Sequence, residues 1–261
     1  MNKIELQDFR RKLEDLEGLL QNGLLDPSSC TAATRTKLKR LVQQVIELLH
    51  GAAIILDPVS TPPTVFDPSD PRIIGEMIAL ALLRQERQPL EGLSKFYGSG
   101  IYALYYTGSF PAYRPVARKD TPLYVGKADP KVPSAATAKE QGMTLCNRLY
   151  DHLKSIGHAR NLDVKDFDCR WLVVKSAWQG TAETYLIDRF RPVWNNEVGI
   201  CFGFGKHGDD PKTRSNTRSP WDTLHPGRPW AMSDGNVPNP RGEEEIQRDI
   251  LKHFRQHPPE N

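Results

Sequence analysis

Apolar residues recur every three or four positions from residue 3 to 21, where Ile4, Leu6, Phe9, Leu13, Leu16, Leu19 and Leu20 stand among charges. That spacing predicts a helix. A second helix is predicted from Thr34 to His50, with Leu38, Leu41, Val42, Val45, Ile46 and Leu49 as its stripe and Gly51 as its stop. The pairs Asp57-Pro58, Pro62-Pro63, Asp67-Pro68 and Asp70-Pro71 mark an extended linker or an irregular wrap. A third helix is predicted from Pro71 to about Gln88, capped by Asp70 with proline at its first position.

At Gly100 the period changes from helical to alternating. Tyr102, Leu104 and Tyr106 fall on one face and Ile101, Ala103 and Tyr105 on the other, which predicts a strand. Leu123-Tyr124-Val125-Gly126-Lys127 reads as a second strand after a polar insert. Helical spacing returns with Leu145, Leu149, Leu153 and Ile156, and Thr144 is the predicted cap. Residues 167–174 read as a third strand. Ala182 to Arg191 read as a helix stopped by Pro192, with Glu183 in its first turn. Strand, strand, helix, strand, helix predicts a small α/β sandwich, and with the helical segments around it an α+β chain. Residues 200–231 carry Phe202, Phe204, Trp221 and Trp230 without helical period, and residues 242–255 predict a closing amphipathic helix. Three regions follow: 1–95 as a helical scaffold or dimerisation element, 96–199 as the core, and 200–261 as a loop with its closing helix.

Composition narrows the class. At 261 residues, with 38% hydrophobic and 26% charged residues, the chain reads as a soluble globular protein. A net charge of +3 permits nucleic-acid binding without arguing for it. Cys30, Cys146, Cys169 and Cys201 lie far apart, so neither a zinc site nor a disulfide framework is expected, and a cytoplasmic location is. No signal-peptide core opens the sequence, and the longest apolar run, Met77 to Leu83, is too short to span a bilayer.

Candidate chemistry gathers in the core region. Arg148 and His152 lie four apart and so one above the other on their helix. Gly100-Ile101-Tyr102 opening one strand and Tyr124-Val125-Gly126 in the next resemble the signature of the GIY-YIG nuclease superfamily. Arg148, His152, Glu183 and Asn195, the last within Pro192-Val193-Trp194-Asn195, resemble its subgroup of type II restriction endonucleases. The resemblance covers roughly residues 98–198. It implies a three-stranded, mainly antiparallel sheet flanked by helices, and Mg²⁺-dependent hydrolysis of double-stranded DNA.

The resemblance also assigns roles. Tyr102 is the implied general base, with His152 as proton acceptor and Tyr124 positioning water or phosphate. The Arg148 fork suits phosphate oxygens. Glu183 is the implied metal ligand, and Lys127 and Asn195 support the site. Cations such as Arg148, Lys127 and the metal are expected to favour the phenolate of Tyr102. The implied target is a short GC-rich palindrome, 5′-CCGCGG by resemblance only, which matches a homodimer or larger even oligomer.

Plainer readings exist. Glu183 is favoured by the helix dipole alone, Arg148 and His152 could border a core, and Asn195 could cap a turn. Arg114 on the insert, and Lys206, Lys212, Arg214, Arg218 and Arg228 further on, read either as DNA contacts or as solvated loops. Gly203-Phe204-Gly205-Lys206-His207-Gly208 fits a dinucleotide fingerprint by letter, but Asp209, Asp210 and Pro211 follow in place of a helix. Alternative functions are a repair or homing nuclease on the same module, or a DNA-binding protein with a decayed catalytic core.

Overall fold

The computed structural model describes residues 3–21, 31–57, 59, 65–175, 178–205, 217–232 and 236–260. It divides into two units, Met1–Phe66 and Asp67–Asn261. In the first, α1 spans Lys3–Gln21 and α2 spans Ala32–Leu56. Thr31 caps α2 by accepting from the Thr34 N–H at 3.3 Å. Gly51 does not stop α2. A mid-helix glycine costs only about 1 kcal/mol, and Ala52 to Leu56 continue the helix beyond it. No described residue of α2 is buried, and Leu41, Val45 and Ile55 stand open to solvent.

The second unit begins with α3, Pro71–Leu83, whose cap Asp70 accepts from the Arg72 N–H at 2.8 Å. The helix ends before the expected Gln88 because Gln88–Pro89 form a short strand, β1, instead. β2 is Gly100–Tyr106, β3 Tyr124–Ala128 and β4 Phe167–Val173. They make one antiparallel sheet in the order β1-β4-β2-β3, four strands where three were expected. β1 sits at the edge, where a proline withholds no ladder donor.

Every residue of β2 is buried, because both sheet faces are covered. Leu104 and its neighbours pack beneath Leu145, Leu149 and Ile156 of α5, Thr144–His158. Ile101, Ala103 and Tyr105 pack against Ala79 and Leu82 of α3 and Ala182, Leu186 and Ile187 of α6, Gln179–Phe190. The α3–α6 approach depends on Gly75, where an added Cβ would lie 2.7 Å from Thr181 Cγ2 and 2.9 Å from its backbone carbon. Residues 67–95, read from sequence as scaffold, therefore include the helix that backs α6.

Two helix starts differ from expectation. Thr144 is the first residue of α5, and its hydroxyl donates to the Gly98 carbonyl at 3.2 Å; a preceding short helix, α4 (Ala138–Gln141), carries a capping box from Thr137 and Glu140. α6 begins three residues earlier than read, which places Glu183 in the second turn. The helix dipole has faded there, so the plain dipole reading of Glu183 loses its basis. Arg191 ends α6 in the left-handed region at φ 48° before Pro192. The aperiodic stretch after residue 200 contains a short helix, α7 (Pro220–Leu224), capped by Ser219, and α8 closes the chain at Glu243–Gln256. No described helix is long and apolar enough to cross a membrane.

Candidate active site

Pairing in the sheet brings the two tyrosine motifs together. Tyr102 stands opposite Gly126 on β3 and Trp171 on β4. Gly126 is required by that register: a Cβ there would lie 2.4 Å from the Tyr102 hydroxyl. The phenol so accommodated is fully buried, and its oxygen lies 2.6 Å from Nε2 of His152, itself fully buried on α5. Tyr124 adjoins both, with ring centroids 6.1 Å from Tyr102 and 5.1 Å from His152.

Burial dominates the electrostatics of this pair. It pushes the Tyr102 phenol well above its ordinary range, and Arg148 only partly offsets the rise. Among the protein's own groups, desolvation thus outweighs the cation expected to favour the phenolate. The guanidinium of Arg148 can only donate, and it faces the Tyr102 oxygen, which also meets Tyr124 and His152 Nε2. Tyr124 is likewise raised by burial. Arg148 remains charged, and its Nη2 also donates to the Gly205 carbonyl at 3.3 Å.

Glu183 reaches the rim of this cluster from α6, close enough that its charge acts on both Tyr102 and Tyr124. Burial lifts its carboxyl to about 7, Lys127 draws it down, and Glu197 and Asp129 raise it further. A backbone hydrogen bond from Lys127 holds the carboxylate. The Lys127 ammonium itself pairs with Asp129 at 2.6 Å. Among the described residues no group of three or more His, Cys, Asp or Glu converges on one point. The donor set here is one carboxylate whose negative charge is under-compensated. That fits a hard divalent cation which takes one protein carboxylate and completes its shell with water and phosphate.

Asn195 has a definite task. Its Oδ1 accepts from the Val125 N–H at 2.9 Å and its Nδ2 donates to the Val125 carbonyl at 2.8 Å. The side chain acts as an extra strand along the open edge of β3 and holds the backbone at Val125, next to Tyr124. Next to it, Trp194 begins a chain of buried polar contacts whose direction is determined. The Trp194 indole can only donate, and does so to the Tyr113 oxygen at 2.8 Å. Tyr113 then donates to His225 Nε2 at 2.5 Å, and His225 Nδ1–H donates to Asn161 Oδ1 at 2.8 Å. Burial, with Arg228 nearby, holds His225 neutral by lowering it to about 3. This chain ties the insert, α5's exit and α7 into one support behind the site.

The expected DNA contacts separate. Arg114 is exposed at the end of a 3₁₀ turn, Pro111–Tyr113, on the insert. Arg218 is partly exposed and donates to the Ala231 carbonyl. Lys206, Lys212 and Arg214 lie outside the described residues. Arg228 is no DNA contact: it is buried, with a two-pronged ion pair to Asp222 at 2.7 and 2.8 Å.

Phe204 is the site residue that sequence reasoning passed over. Its ring stacks on His152 at 4.5 Å and 18°, and meets Tyr124 edge-on at 5.2 Å. Gly205 follows, where a Cβ would lie 2.7 Å from the Tyr124 hydroxyl. A sequence signal existed in Ser219-Pro220, a cap followed by proline at a first helical position, which marks ordered structure in the stretch that fixes this wall.

A family model described as the Eco29kI GIY-YIG domain matches residues 94–254. No curated protein matches the chain.

Proposed function

The chain belongs to the Eco29kI GIY-YIG domain family, a family of type II restriction endonucleases, and on that premise we propose that it cuts double-stranded DNA at a short palindromic, GC-rich site. The candidate site is 5′-CCGCGG. The observation that carries the catalytic reading is the buried 2.6 Å contact between Tyr102 and His152, with Arg148 and Glu183 beside it.

Hydrolysis of a phosphodiester requires a deprotonated water, a neutralised phosphorus and a stabilised leaving oxygen. In this reading the Tyr102 oxygen takes the water's proton as its own proton passes to His152 Nε2, so the buried site never carries a free phenolate. Arg148 offers its fork to the phosphate, and the Tyr124 hydroxyl orients water or phosphate. Glu183 is the residue that would hold Mg²⁺, and the ion would supply charge neutralisation at the phosphate and leaving oxygen. Asn195 keeps Tyr124 in place through β3. Arg114, Arg218, Lys206 and Arg214 are proposed to contact DNA.

A palindrome implies two-fold symmetry, so we place the protein as a homodimer or larger even assembly acting in the cytoplasm. The exposed apolar residues of α1 and α2, among them Phe9, Leu41 and Val45, support those helices as the interface. The test is digestion of a long unmethylated duplex with Mg²⁺ and with EDTA, followed by sequencing of the ends. Discrete Mg²⁺-dependent fragments with one common end sequence are expected. Specific binding without cleavage under any divalent metal would move the reading to a catalytically decayed DNA-binding protein.

A further inference from the structure

Arg228 is a guanidinium buried inside the protein. Its Nε and Nη2 engage Asp222, Nη1 donates to the Phe204 carbonyl at 3.0 Å, and Nη2 donates also to the Gly203 carbonyl at 2.9 Å. The indoles of Trp221 and Trp230 flank it, with ring centroids 4.5 and 4.8 Å from its Cζ. Both members of the ion pair are almost wholly buried. Such a pair is a poor source of stability, because desolvation consumes most of the Coulombic gain. What the arrangement does determine is the path of the backbone at Gly203 and Phe204, with Gly203 held at φ 103°.

That path matters because of what the next atoms touch. The Phe204 ring lies parallel to the His152 imidazole, and the Gly205 carbonyl accepts from Arg148. Gly205 is also close enough to Tyr124 that a methyl group would displace its hydroxyl. Three side chains of the candidate cluster therefore rest on two residues whose position Arg228 sets. We propose that Arg228 is a positioning residue for DNA cleavage, acting through the Gly203 and Phe204 carbonyls to hold the wall that orients His152 and Arg148. The proposal rests on the nuclease reading.

Arg228→Lys keeps the charge opposite Asp222 and removes the fork that spans two carbonyls. Phe204→Leu leaves the ion pair intact and removes the ring against His152, so it tests the wall without disturbing the buried charges. Each is measured by single-turnover cleavage at saturating DNA, normalised to folded protein by circular dichroism, across a pH series, with DNA affinity measured in Ca²⁺. Misplacing a catalytic group by about 1 Å costs on the order of 100-fold in rate. Both variants are expected to lose about 10- to 100-fold in rate per folded molecule, with a shifted pH profile and near-normal DNA affinity. Wild-type rates in both would overturn the proposal. So would losses that track only the folded fraction and leave the pH profile unmoved. Wild-type protein that cuts no DNA would instead defeat the nuclease reading itself.

Discussion

Replacing Glu183 with glutamine should abolish cleavage and also stabilise the protein. The carboxyl sits at about 7 against an ordinary 4.5, chiefly from burial, with Glu197 and Asp129 adding to the rise. A folded pKa above the unfolded one means that the unfolded chain releases the proton first. The group's contribution is therefore full below 4.5 and is lost as pH rises through 7. Each pKa unit corresponds to about 1.4 kcal/mol. With allowance for the solvent that reaches its partly exposed side, the ionised carboxylate destabilises the fold at pH 8 by about 2 kcal/mol. Glutamine has the same shape and no charge. In a domain of this size its Tm at pH 8 should exceed that of the wild type by roughly 4–8 °C, and the gap should close by pH 4. Thermal melts at the two pH values, with a digestion run alongside, make the test. A glutamine variant no more stable than wild type at pH 8 would refute the reasoning that this carboxylate waits for a cation.

Other positions give outcomes of different kinds. Gly126→Ala should disable cleavage, because its Cβ would lie 2.4 Å from the Tyr102 hydroxyl and must move the ring away from His152; single-turnover rates check it. Asn195→Ala strips both partners from the buried Val125 backbone and should cost about 2–4 kcal/mol in urea melts, with reduced cleavage as β3 loosens. His225, lowered to about 3 and neutral in the fold, contributes stability that is present above 6.5 and lost as pH falls toward 3. Its full size is about 5 kcal/mol, and His225→Gln should flatten that part of the acid-denaturation curve.

The parts of this protein legible in its sequence are those with a period. Alternation along Gly100–Tyr106 placed Tyr102 on the face it occupies, and the four-residue step from Arg148 to His152 placed both on one side of α5. β1 escaped notice because a two-residue strand has no period and contains a proline. The role of α3 escaped because it depends on Gly75 meeting Thr181, a contact between residues a hundred positions apart. Arg228 read as a DNA contact or a solvated charge in a Gly- and Pro-rich stretch, since burial beside Asp222 leaves no local mark on sequence. The rise of the Tyr102 phenol was hidden for a related reason. The count of nearby cations was visible, but the burial that outweighs them was not.

Central to the proposed cleavage is the proton path from water through Tyr102 to His152. Its most direct test is single-turnover cleavage by Tyr102→Phe, with DNA binding measured on the same preparation. Only a hydroxyl is removed, so binding and fold should persist while the rate falls by about 100-fold or more, the scale of a lost general base. Cleavage at the wild-type rate by that variant would contradict the account, because no proton could then be passing through residue 102.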